Sequence, residues 1–167
     1  MSSKAHKINA PRSVKTGIIT VSTTRSLKED KSGHWISRRA KKEGHEVVFH
    51  QVIMDDTEII IQTVKDVIED PAPQALLVTG GTGISSKDVT IEAVRPLFTK
   101  ELTAFGPIFA QLSFEQIDSA AILSRATAGV IKETILFCMP GSINACKLAC
   151  KAIIFPELGH LVRHIHE

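Results

Sequence analysis

The 167-residue sequence has no tyrosine, one tryptophan and seven phenylalanines, so it is poorly supplied with the stacking platforms that bind single-stranded nucleic acid. Its three cysteines, Cys138, Cys146 and Cys150, are odd in number and show no CxxC spacing. That argues against a disulfide framework and against a zinc ribbon, and a reducing compartment, the cytoplasm, is expected. No run approaches the ~18 apolar residues of a membrane span. The basic start (Lys4, Lys7, Arg12, Lys15) lacks the apolar core of a secretory signal. Lys and Arg number 20 against 18 Asp and Glu, a net charge of +2, which is too balanced for a nucleic-acid footprint. Neither nucleic acid nor a membrane is expected as a partner.

What is present fits an ordinary globular domain. The length predicts one domain at roughly 150 residues per domain, expected over 13–167 behind a flexible basic tail at 1–12. There is no internal repeat. Apolar, β-branched runs predict strands over 16–22, 46–53, 75–79, 128–131 and 135–139. Helical spacing is clearest over 57–70, where Ile60, Ile61, Val64, Val67 and Ile68 recur at three and four residues. Further helices are expected over 30–43, over 87–97, over 101–117 with an interruption near Gly106-Pro107, from Ser142, and over 153–165. Uninterrupted apolar strands alternating with helices predict an α/β three-layer sandwich, a mostly parallel central sheet with helices on both faces. Ligands in such folds sit at the carboxyl ends of the strands.

The segment VTGGTGISSKDVTIE at 78–92 carries the strongest chemical signal. A strand runs into Thr79-Gly80-Gly81-Thr82-Gly83, whose glycines permit positive φ and close approach of a ligand, and successive N–H groups in such a turn cradle an anion. It is neither a Walker A loop nor GxGxxG, and an ordinary strand-to-helix turn is the alternative. Asp88 beside a phosphate suits Mg²⁺, although Ser85-x-x-Asp88 also fits a capping box. Asp55 and Asp56 leave the second strand at the same end of a parallel sheet, and Asp55-x-x-Glu58 fits a capping box too. Ser22-Thr23-Thr24-Arg25 places hydroxyls and a guanidinium at the end of the first strand. Met139-Pro140-Gly141-Ser142 is another strand-to-helix turn, with Ser142 a natural N-cap. Ser124-Arg125 pairs a hydroxyl with a cation, or supplies a salt-bridged surface Arg. Cys146 and Cys150 read as a small buried helix face. His160, His164 and His166 near the end could chelate a metal at i, i+4 spacing, with a solvated terminus as the plainer reading.

Taken together, these segments resemble the molybdenum cofactor biosynthesis family MoaB/MogA, related to the gephyrin G domain. The resemblance rests on Asp30-Lys31-Ser32-Gly33, Thr79-Gly80-Gly81-Thr82-Gly83, Lys87-Asp88-Val89-Thr90, Glu92-Ala93, Phe105-Gly106, Leu112-Ser113-Phe114-Glu115, Leu123-Ser124-Arg125, Ala128-Gly129-Val130 and Met139-Pro140-Gly141-Ser142. The Leu-Ser-Phe-Glu and Met-Pro-Gly-Ser segments look closer to the MoaB branch. The resemblance implies Mg²⁺-ATP-dependent adenylylation of molybdopterin, releasing pyrophosphate, with molybdate inserted later by a downstream enzyme. It implies that Asp55 and Asp88 are the catalytic, metal-holding acids. Ser22, Thr79, Gly80, Gly81, Thr82, Gly83, Ser113, Ser124, Pro140, Gly141 and Ser142 would bind substrate and nucleotide. It also implies a homo-oligomer, a trimer or hexamer. A non-catalytic molybdopterin-binding carrier or an oligomeric scaffold is the alternative. Two positions depart from the pattern: Cys138 stands where the MogA branch has Asn, and Ile91 where many members have Pro.

Overall fold

The computed structural model describes residues 10–167; most of the basic tail expected over 1–12 lies outside them, while the carbonyl of Pro11 lies against Gly159. Six strands form one sheet in the order β2-β1-β3-β6-β5-β4, where β1 is Lys15–Val21, β2 Glu46–Ile53, β3 Ala75–Thr79, β4 Lys100–Glu101, β5 Thr127–Ile131 and β6 Thr134–Met139. The first four in that order are parallel to one another, and β5 runs antiparallel to both of its neighbours, β6 and β4.

Side-chain alternation along the strands splits the interior in two. Ile18, Leu77, Ile135, Phe137 and Met139 face one side, together with helices α1 (Lys31–Lys42), α4 (Phe105–Ile117), α5 (Ile143–Ala149) and α6 (Phe155–Ile165). Ile19, Leu76, Val78, Leu136 and Cys138 face the other, with α2 (Thr57–Glu69) and the short α3 (Thr90–Val94). The three-layer α/β sandwich is as expected. Helix α2 shows why the periodicity works: Ile60, Val64, Val67 and Ile68 are its buried residues, each worth roughly 1.5–3 kcal/mol on burial.

Three expectations are corrected. The 87–97 helix shrinks to α3 followed by a 3₁₀ turn at Arg95–Leu97. The 101–117 helix begins only at Phe105 and is not interrupted at Gly106-Pro107, because Pro107 sits in the first turn, where a missing N–H costs no helical bond. Its expected start is instead the edge strand β4, paired with β5. Helices α5 and α6 are joined by a π-helical turn, Cys150–Ile154. Among the described residues no helix is long and apolar enough to cross a membrane.

The register fixes where the chemistry gathers. Val21 pairs with Ile53, Thr20 with Thr79, and Thr79 with Met139. The four parallel strands therefore end on one line. The segments that follow them, at 22–25, 54–56, 80–83 and 140–142, emerge side by side.

Candidate active site

A cleft of about 260 Å³ lies at that edge, bordered by Ser22, Arg25, Asp55, residues 80–83, Asp88, Leu123, Pro140 and Gly141. Gly80 and Gly81 have φ of +96° and +64°, which other residues rarely adopt. A side chain on Gly80 would collide with the Val21 carbonyl, and one on Gly81 with the Thr90 hydroxyl. The Thr90 hydroxyl donates to the Gly80 carbonyl at 2.8 Å, and the Thr90 N–H to that of Gly81 at 3.0 Å. The turn is thus bolted to the start of α3 through its carbonyls. Among the described residues, no acceptor takes the N–H of Gly81 or Thr82, which leaves both available to an anion.

Asp55 and Asp88 approach this turn from separate elements. A Cβ on Gly81 would lie 3.2 Å from Asp55 Oδ1, and one on Gly83 would lie 2.6 Å from Asp88 Oδ2. Asp55 Oδ2 accepts the Thr23 N–H (2.7 Å) and the Thr23 hydroxyl (2.8 Å), an orienting role for Thr23 that sequence reading missed. Asp88 Oδ2 accepts the Ser85 hydroxyl (2.7 Å) and N–H (2.9 Å). The Ser85 hydroxyl above all, then the backbone of Ser85 and Gly83 and the charge of Arg125, hold Asp88 below the usual carboxylate range despite some desolvation.

Neither proposed capping box forms. No helix starts at Ser85, whose pairing with Asp88 closes a local turn. Helix α2 is capped by Asp56, which accepts the Ile59 N–H at 3.0 Å. Of the two adjacent acids, Asp56 serves the helix and Asp55 faces the cleft.

The remaining predicted residues sort into groups. Ser22, Gly80, Gly81, Thr82, Gly83 and Gly141 border the cleft. Ser113, Ser124 and Ser142 line an adjoining cavity of about 280 Å³ with Asn144, and Leu123 and Pro140 form the wall common to both. Asn144 carried no sequence signal beyond its place after an N-cap. Ser142 caps α5 through the Ala145 N–H (3.2 Å). Thr79 does not reach either space: it is fully buried, and its hydroxyl donates to the Pro140 carbonyl at 2.9 Å. It shapes the 140–142 turn from beneath.

Two arginines complete the arrangement. Arg25 borders the cleft, and among the described residues its guanidinium makes one hydrogen bond, to the Gly141 carbonyl at 3.5 Å, so most of its fork is open to an anion. Arg125 donates to the Gly83 carbonyl at 2.7 Å and pairs with Glu92. The surface ion pair read in the sequence exists, but the same side chain also clamps the glycine turn across 42 residues of chain.

Mg²⁺ fits this donor set. Asp55 keeps Oδ1 toward the turn, Asp88 is held ionised, and Mg²⁺ is ordinarily bound through one or two carboxylates with phosphates and water. The three cysteines are buried, and desolvation pushes their thiols up, so none is a nucleophile.

Known proteins resemble this chain over most of its length. Residues 17–160 match the family model described as a probable molybdopterin binding domain. Molybdenum cofactor biosynthesis protein B of Bacillus subtilis (strain 168) is 46% identical over 168 residues, covering 100% of this chain and 99% of that protein. Its namesake in Halalkalibacterium halodurans is 45% identical over 166 residues, covering 99% and 98%. Among solved structures, the tungsten cofactor synthesizing protein MoaB from Pyrococcus furiosus superposes with a TM-score of 0.87 at 38% identity, covering 95% of this chain and 100% of that one.

Proposed function

The chain belongs to the probable molybdopterin binding domain family, and from that premise we propose that it works in molybdenum cofactor biosynthesis as a Mg²⁺-ATP-dependent molybdopterin adenylyltransferase. In this reaction an oxygen of the pterin's terminal phosphate forms a bond to the α-phosphorus of ATP as the bond to the departing pyrophosphate breaks. The observation that carries the reading is the convergence of Asp55 and Asp88 on the two ends of one glycine turn whose N–H groups at Gly81 and Thr82 are open.

Phosphoryl chemistry of this kind leaves a protein chiefly positioning and charge compensation to supply. The Gly81 and Thr82 N–H groups and the Arg25 guanidinium hold phosphate oxygens in the cleft. Ser113, Ser124, Ser142 and Asn144 offer hydroxyls and an amide to a polar heterocycle in the adjoining cavity. The shared wall at Leu123 and Pro140 sets the two substrates next to each other. Asp55 and Asp88 would hold Mg²⁺, which when bound would supply the positive charge that offsets the crowded phosphates. Thr23 and Ser85 fix the carboxylates in place. The retained pair of acids favours catalysis over the carrier reading, since a pure pterin binder has no use for two carboxylates facing an anion cradle.

We also propose a homo-oligomer, a trimer or hexamer, because Phe114, Ile117, Ile122 and Leu123 are exposed together on α4 and the turn after it. The product passes to a molybdate-inserting enzyme. The test is direct: purified chain, molybdopterin and Mg²⁺-ATP are mixed and the pterin is weighed. A mass gain of one adenylyl group with pyrophosphate release is expected. Pterin binding with no such product identifies a carrier instead.

A further inference from the structure

On α6, far from the glycine turn in sequence, His160 and His164 stand one helical turn apart. Their Nε2 atoms face each other at 2.9 Å, with ring centroids 4.6 Å apart. His160 Nδ1 lies 3.2 Å from Glu157 Oε2, and His164 Nδ1 lies 2.9 Å from Glu167 Oε2. An ionised carboxylate only accepts hydrogen bonds, so each Nδ1 carries a hydrogen. In the neutral imidazoles both Nε2 lone pairs then point into the same gap. Two lone pairs at that distance repel, and the arrangement calls for a positive charge between them. A carboxylate on the far nitrogen is also what orients an imidazole for metal binding and raises its basicity.

We propose that His160 and His164 form a surface site for a divalent first-row transition ion, separate from the Asp55–Asp88 cleft. The geometry narrows the ion. With metal–imidazole bonds of about 2.05 Å, nitrogens 2.9 Å apart close an angle of about 90° at the ion. That is the cis angle of square-planar or octahedral coordination, and with imidazole ligands it points to Cu²⁺ or Ni²⁺ rather than to tetrahedral Zn²⁺. Among the described residues no cluster of three or more His, Cys, Asp or Glu side chains is placed to hold a metal, so the two imidazoles are the proposed protein ligands. A hard ion such as Mg²⁺ finds no oxygen cage here. Glu157 and Glu167 offset the charge of the ion without ligating it.

The test uses the full chain without an affinity tag, titrated with Ni²⁺ by calorimetry in saturating Mg²⁺. One Ni²⁺ per chain is expected. His164→Ala should weaken binding by at least about tenfold, and Glu167→Gln by about tenfold through the orientation of the ring. Both side chains are about half exposed, so thermal melting should not move. Cu²⁺ bound to the wild-type chain should show electron-spin couplings to two imidazole nitrogens. Equal Ni²⁺ binding by wild type and His164→Ala, no Ni²⁺ binding at all, or coupling to fewer than two nitrogens each overturns the proposal.

Discussion

Asp30 and Asp55 each follow a parallel strand at its carboxyl end, yet they are committed in opposite ways. Asp30 is fully buried and accepts from the Thr20 hydroxyl at 2.7 Å, the Gly33 N–H at 2.9 Å and His50 Nε2 at 2.8 Å. It caps α1, ties that helix to the end of β1, and both of its oxygens are engaged inside the fold. Asp55 is oriented through one oxygen by Thr23 and keeps the other toward the glycine turn. Asp88 resembles Asp55, tied by Ser85 and otherwise facing the cleft. An acid whose bonding is completed inside the fold stabilises it. An acid held by one edge with the other left over is placed for a ligand.

Substitutions should break the molecule along that line. Asp88→Asn and Asp55→Asn should each lower adenylylation by about 10²–10³-fold while melting curves stay close to wild type, as read by initial rates and calorimetric scanning. Asp30→Ala should do the reverse. It strands the Thr20 hydroxyl, the Gly33 N–H and His50, and should cost about 3 kcal/mol, measured as a lower urea midpoint. Between these extremes, Asp56→Ala should cost about 1 kcal/mol by removing the α2 cap, and Asp56→Asn almost nothing, with turnover kept in both. If Asp56→Asn rather than Asp55→Asn abolished turnover, the division between the two neighbours would be wrong.

The smallest effects are in pH. Burial alone would raise the Asp30 pKa, but the hydrogen bonds from His50, Gly33 and Thr20 prevail and hold it below the usual value. A depressed carboxylate contributes stability that is present above its unfolded pKa of about 3.9 and lost as pH falls through the folded value. Wild type should therefore weaken in acid below about pH 4 more steeply than Asp30→Asn. His45 behaves differently. Desolvation lowers its pKa, and its Nδ1 accepts the Val14 N–H at 3.3 Å, so the fold prefers it neutral. Stability should fall as pH drops below about 6.5, and His45→Gln should flatten that slope in urea titrations between pH 7 and 5.

Much of this division was legible in the residues, and the exceptions have physical reasons. Strands β1, β3 and β6 were readable because each is buried on both faces and shows as an apolar, β-branched run, whereas the edge strand β2 is only half-buried and was read from its Val, Phe and Ile positions. Strand β4 was invisible because its two residues, Lys100 and Glu101, are both exposed and carry no hydrophobic signal. The cleft was legible through glycines and acids at strand ends. Thr79 was misread as a contact because a threonine at a strand end looks alike whether it points up into a site or down into the core. The clamp by Arg125 depends on a partner 42 residues away, which local pattern does not reveal. Thr23 looked like any hydroxyl in a polar loop until Asp55 was seen across from it.

The antiparallel turn at the sheet's edge has a practical consequence. Because β5 runs against β6, Thr127 stands beside Cys138, so residues 118–125 reach the mouth on their way into a strand while the other wall segments reach it on their way out. The two walls therefore belong to different halves of the chain's itinerary. A protein engineer wishing to admit a bulkier heterocycle can vary the stretch before β5 apart from the parallel exits that carry the acids, provided Arg125 keeps its hold on the Gly83 carbonyl of the glycine turn.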